Sequence, residues 1–169
     1  LSPGVLFERA QLMKIRGNIP GAYQEMERVV TLDSGKADYF LALADIAFRA
    51  LQVPRSIEAF ERCLRIDPKN TEAHLRLAEL YFYLKAYPKA IESANNALRL
   101  NDRLARAYSI KGFVYKESGD TAKAISSFQT VLELDPENYD TQRELGRIFA
   151  AKKDPLALQY YNNALRIRP

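Results

Sequence analysis

The chain holds one histidine, His74, and one cysteine, Cys63. Neither has a second His or Cys with which to complete a metal site of known spacing. No Ser-His-Asp set, glycine-rich phosphate loop or His-Glu-x-x-His motif occurs. Carboxylates are plentiful, but none stands in a pattern beyond the repeat described below. Asp67 and Asp135 each precede a proline, in turns that end helices. The residue types therefore predict no catalysis, no cofactor and no bound metal. What remains is recognition chemistry. Arginines such as Arg143 and Arg147 can clamp carboxylates in bidentate fashion, and aromatic residues with arginines are the types that anchor protein interfaces.

Composition narrows the partner. With 169 residues, 47% hydrophobic and 27% charged, the chain is long enough for a substantial core and too apolar for disorder. A net charge of +4 is too mild to argue nucleic-acid binding. The runs Tyr81-Phe82-Tyr83 and Tyr160-Tyr161 read as core and surface aromatics, not as base-stacking platforms. No apolar run approaches the roughly 20 residues a membrane span needs, and no signal peptide is visible. One cysteine rules out an internal disulfide framework.

The elements that must position these residues repeat. Asp67-Pro68-Lys69-Asn70 and Asp135-Pro136-Glu137-Asn138 are the same punctuation, two steps of 34 apart. A fixed step of that size marks a solenoid of stacked helical pairs. Five repeats follow: residues 3–36, 37–70, 71–104, 105–138 and 139–169, expected to form one domain. Apolar residues recur at helical spacing, as in Leu75, Leu77, Ala78, Tyr81 and Leu84, then Ala90, Ile91, Ala94, Ala97 and Leu98. Asn70 and Asn138 can cap the helices that follow them. Gly17 and Gly119 fall between paired helices, where a left-handed residue is useful. Pro20, Pro54, Pro88 and Pro155 open the second helices, where proline is tolerated.

Numbering each repeat from its first residue, position 8 is Ala10, Ala44, Ala78, Gly112 and Gly146, small enough for close helix approach. Position 24, allowing for the one residue that the last repeat lacks in its inner turn, is Met26, Phe60, Ala94, Phe128 and Tyr161, mostly large wedges. Each pair alone would expose an apolar face, which stacking hides.

This pattern resembles the tetratricopeptide repeat. One repeat shows Tyr108, Gly112, Tyr115, Ala124, Phe128 and Pro136 at the family spacings; another shows His74, Leu77-Ala78, Tyr81, Ala90 and Ala97. His74 takes a position that usually holds a core aromatic, so it is expected to pack. Cys63 takes a small-residue packing position and is expected to be inert. Arg9, where leucine is usual, and Ser34, where proline is usual, mark the first repeat as a distorted end. Gln142 occupies an aromatic position.

The resemblance implies an all-α, right-handed superhelical solenoid of five helix-turn-helix repeats, whose first helices line a concave groove. Family positions 2, 5, 9, 12 and 13 then face that groove. Carried over, they include Asp38, Leu41, Asp45, Phe48 and Arg49; Glu72, Leu75, Glu79, Phe82 and Tyr83; Arg106, Ser109, Phe113, Lys116 and Glu117; and Asp140, Arg143 and Arg147, with Phe7, Gln11 and Lys14 added by the first repeat. Asp38, Asp45, Glu72 and Glu79 make the first half acidic, Phe48, Phe82, Tyr83 and Phe113 the middle aromatic, and Arg106, Lys116, Arg143 and Arg147 the far end basic. The expected function is a protein-interaction scaffold that holds a protein or peptide ligand, with an apolar centre and acidic groups toward Arg143 and Arg147, and without nucleic acid. A subgroup of the family clamps acidic chaperone tails from positions 5 and 9. Leu41/Asp45, Leu75/Glu79 and Ser109/Phe113 stand there, so no such clamp is expected.

Leu158, Leu165 and Ile167 sit on a face that a further helix normally covers. A fragment of a longer chain is expected, with self-association through the last repeat as the alternative. Regulatory or targeting segment of a larger enzyme, and bacterial envelope-assembly (lipo)protein, are the alternative functions. The cytoplasm is the favoured compartment, with a bacterial periplasm or a membrane-anchored form as the alternative.

Overall fold

Proline, asparagine and glycine punctuation divides the chain into helices where the spacing predicts them. The computed structural model describes residues 1–169 as ten α-helices with no strand. They are α1 Pro3–Ile15, α2 Ile19–Leu32, α3 Ala37–Arg49, α4 Val53–Ile66, α5 Thr71–Tyr83, α6 Tyr87–Leu100, α7 Ala105–Glu117, α8 Thr121–Leu134, α9 Tyr139–Ala151 and α10 Leu156–Ile167. The chain is thus an all-α helical-repeat solenoid. Every first helix of a pair opens on position 1 of its repeat and runs for 13 residues. The first repeat is no exception. Arg9 finds a partner there, donating through Nε to Glu25 at 2.9 Å, so the expected distortion is absent.

Orphan amides at helix starts are satisfied by side chains. Asn70 Oδ1 accepts from the Ala73 amide at 2.9 Å and Asn138 Oδ1 from Thr141 at 3.1 Å. Asp120 accepts from the Lys123 amide at 3.1 Å, and that hydrogen bond holds its carboxyl below the usual range. The turn inside each pair uses a left-handed residue at position 15. Gly17 and Gly119 supply it with φ of 79° and 83°. Leu51, Lys85 and Lys153 adopt the same conformation, at 60°, 59° and 56°, despite their side chains.

The chain divides into two compact units, Leu1–Leu77 and Ala78–Pro169, with the division inside α5. In the N-terminal unit α1 packs on α2, α2 on α3 and α3 on α4. Met26, Leu43, Ile46 and Cys63 are fully buried there. In the C-terminal unit α6 packs on α7, α7 on α8, α8 on α9 and α9 on α10. Its core gathers Ala124, Phe128, Leu145, Phe149 and Ala157. Gly112 lies against the Phe128 ring and Gly146 against the Tyr161 ring, so the small residues at position 8 make room for wedges from the second helix.

Position 4 does more than pack. His74 Nε2 lies 3.0 Å from the Pro68 carbonyl oxygen, Tyr108 Oη donates to Asp102 O at 3.2 Å, and Gln142 Nε2 donates to Pro136 O at 3.2 Å. Each ties down a carbonyl six residues back, in the turn before its own helix. His74 thus adds a hydrogen bond to the packing role expected of it. Gln142 at an aromatic position makes the same bond from a buried site.

Candidate functional site

In the N-terminal unit, α1, α3 and the first part of α5 enclose a cleft of about 720 Å³. Helical spacing of three and four brings Phe7, Gln11 and Lys14 of α1 to it, and likewise Asp38, Leu41, Asp45 and Arg49 of α3. Glu72 and Arg76 enter from α5. Phe48 stands half-buried on α3, outside this lining. Leu75 is 4% exposed, a core residue and not the groove residue expected.

Asp45 is the charged centre of the cleft. Lys14 Nζ lies 3.5 Å from its Oδ2, Arg49 Nε lies 3.3 Å from the same oxygen, and the Arg76 guanidinium bonds Oδ1. Glu8, Asp38, Asp45 and Glu72 are matched in the lining by Lys14, Lys36, Arg49 and Arg76. The acidic first half expected from sequence is corrected on this face: it is charge-balanced, because Lys36 and Arg76 contribute. The Gln11 Nε2 amide is buried without a hydrogen-bond partner.

In the C-terminal unit the expected residues fall along the remainder of α5, α7 and α9. Arg106 holds Glu79 in a two-pronged pair, Nε to Oε1 at 2.6 Å and Nη2 to Oε2 at 2.8 Å. Phe82 stands 6.3 Å from Phe113, ring centre to ring centre, and Phe113 meets Phe128 edge-on at 5.1 Å. Tyr83 is largely exposed. Lys116 Nζ donates to Glu144 Oε2 at 2.7 Å, and Arg147 Nη1 donates to Glu144 Oε1 at 2.6 Å. Arg143 pairs with Asp140 at 3.6 Å and lies over the Tyr139 ring. The expected basic end is therefore tied to carboxylates of its own chain.

Two family models of the tetratricopeptide repeat match, at residues 52–112 and 105–138, together half of the chain. The chain belongs to the tetratricopeptide-repeat family. Solved structures share its fold. MamA, residue 41 to the end, from Desulfovibrio magneticus RS-1 superposes with a TM-score of 0.88 at 19% identity, over 98% of this chain and 94% of that one. PilF of Pseudomonas aeruginosa gives 0.85 at 19%, over 99% and 77%. YrrB, described as a tetratricopeptide-repeat protein with an unusual peptide-binding site, gives 0.76 at 22%, over 97% and 85%. At these identities the likeness shows the fold alone. No curated protein matches the chain by sequence.

On this tetratricopeptide frame two residues that sequence reasoning missed carry much of the site. Arg76 and Glu144 both occupy position 6 of their repeats. Position 6 is four after position 2 and three before position 9, so the helical period itself placed it on the same face. Burial opposes ionisation of Glu144, yet the Lys116 hydrogen bond and the charges of Lys116 and Arg147 hold its carboxyl below the usual range. Cys63 is buried, and burial together with the Asp67 and Asp38 charges pushes its thiol up to about 11. No group of three His, Cys, Asp or Glu side chains could hold a metal ion. No helix is long and apolar enough to cross a membrane.

Proposed function

We propose that this chain is a non-enzymatic interaction scaffold that holds a peptide or helical segment of another protein, with the cleft of the N-terminal unit as a binding site. The observation that carries the reading is the cleft itself. It is large enough for a run of side chains, and it combines the Phe7 and Tyr39 rings, tilted against each other with centres 5.0 Å apart, with the unpartnered Gln11 amide. Its lining charges are balanced, and Asp45 is already paired. A partner is accordingly held by apolar contact with the Phe7 ring, which Tyr39 backs, and not by net charge. That YrrB, of the same fold, is described as binding peptide supports the class of ligand. In the C-terminal unit, Phe82, Tyr83 and Phe113 form a second contact surface. Glu79 with Arg106, and Lys116, Arg143 and Arg147 with their carboxylates, hold the shape of that face more than they await an acidic ligand.

The test is selection of peptides from a random library on the whole chain, followed by mapping with amide chemical shifts. Selected peptides should shift α1 and α3, lose roughly tenfold in affinity on Phe7→Ala, as expected for an aromatic anchor, and depend little on salt. Peptides that map away from these helices, or bind Phe7→Ala unchanged, would remove the proposed site.

A further inference from the structure

Position 7 of the repeat is leucine in three cases, Leu43, Leu77 and Leu145, all buried. Two repeats replace it with a cation. In the first, Arg9 is paired with Glu25. In the fourth, Lys111 is half-buried on α7 and makes no ion pair; its Nζ donates to Asn95 Oδ1 of α6 at 2.9 Å. Burial holds its ammonium below the usual lysine range, with no acidic neighbour to oppose the shift. A half-buried cation without a counter-charge, at a position that leucine fills elsewhere, lowers stability. Rules of local consistency are broken in this way mostly at functional sites.

Lys111 faces a pocket of about 220 Å³ between α7 and α8. Tyr108 and Tyr115 line it from α7, at helical spacing with Lys111, and Lys123, Ser126 and Ser127 line it from α8. No carboxylate contributes to the lining. Lys123 lies over the Tyr115 ring and 3.2 Å from Asp120, which stays outside the pocket. Thr130 donates its hydroxyl proton to Ser126 O and brings no further donor.

We propose that this pocket is a binding site for a small phosphate-bearing ligand, with Lys111 as the central cation, Lys123 as the second and the Ser126 hydroxyl as a neutral donor. Two lysines and a serine hydroxyl contributed by two helices, with no carboxylate in the lining, match the nearly two negative charges of a phosphate monoester better than the single charge of a carboxylate. The volume lies below the roughly 300 Å³ at which drug-sized ligand sites begin. It admits free phosphate or a phosphate monoester with a short substituent lying against the tyrosine rings. The site is independent of the cleft proposed above.

Titration calorimetry of the whole chain with inorganic phosphate, O-phosphoserine and acetate tests this. Saturable one-to-one binding of phosphate supports a free-ion site, and tighter binding of O-phosphoserine supports a monoester site. Lys111→Leu installs the repeat's own residue, so it should fold, melt at a higher temperature and bind roughly tenfold more weakly, as expected when one charge-assisted hydrogen bond to the ligand is removed. Lys123→Met should weaken binding less, because Asp120 already shares that charge. The proposal is overturned if neither phosphate probe binds saturably at millimolar concentration, if Lys111→Leu binds as the natural chain does, or if acetate binds as well as phosphate.

Discussion

Replacing Gly112 with alanine should destabilise the protein even though alanine is the better helix former. A Cβ built at Gly112 would lie 2.6 Å from Phe128 Cε1, 2.7 Å from Cδ1 and 2.9 Å from Cζ. The ring cannot swing clear: Phe128 is fully buried and braced edge-on by Phe113 at 5.1 Å. Helix propensity favours the alanine by about 1 kcal/mol, whereas overpacking of a filled core costs about 1–3 kcal/mol. A net loss of about 1 kcal/mol is expected, read as a lower urea midpoint at unchanged slope by helical circular dichroism. The first repeat shows one way the clash is relieved, since Ala10 and Met26 fill the same two positions and are both fully buried; Ala44 and Phe60 share them in the second, so the clash here comes from where the Phe128 ring lies against Gly112 and not from residue type alone. Phe128→Met should therefore rescue Gly112→Ala. The double variant should be about 1 kcal/mol more stable than the sum of the singles, the coupling expected of residues that touch. Additive effects, or a stabilised Gly112→Ala, would refute the view that position 8 is small because position 24 of the same repeat is large.

Three further expectations can be checked on the same protein. Leu51→Gly, Lys85→Gly and Lys153→Gly should each stabilise the chain by up to about 1 kcal/mol, read as a higher urea midpoint, because each side chain now bears a left-handed backbone. Lys116→Met should lower stability at neutral pH by about 1–2 kcal/mol by stranding the buried Glu144 carboxylate with Arg147 alone. The Glu144 carboxyl lies below its ordinary 4.5 in the folded chain, so its contribution is present above that pH and lost as pH falls through the lower folded value. The acid limb of a melting-temperature profile should accordingly be shallower in Lys116→Met. Cys63, fully buried and with its thiol pushed up to about 11, should react with a disulfide reagent at pH 8 only at the rate of unfolding; fast labelling of the folded chain would show that α4 opens locally.

Local chemistry made the helices legible. The 34-residue period, the capping Asn70 and Asn138, and prolines at the start of second helices each act within one turn of chain, and the ten helices start and stop where they direct. Position 15 was read only where glycine announced it, at Gly17 and Gly119. Leu51, Lys85 and Lys153 take the same φ because their turns close on the same backbone pattern, the amide of the residue after each donating to a carbonyl five back, as Gln52 does to Ala47 O at 2.8 Å. Packed helices on both sides over-determine that turn, and a side chain can be carried through it.

Taken alone, the sequence determined the fold class, the repeat length and the helix boundaries, because these follow from local punctuation and a 3.6-residue period. It did not determine which charges neutralise one another. Asp45 is matched by Arg76 across 31 residues and Lys116 by Glu144 across 28. Such pairs depend on the spacing and stagger of successive first helices, which no single helix encodes. The same inter-helix geometry decided that Arg9 meets a carboxylate while Lys111, at the same position of a later repeat, meets an amide and an open pocket.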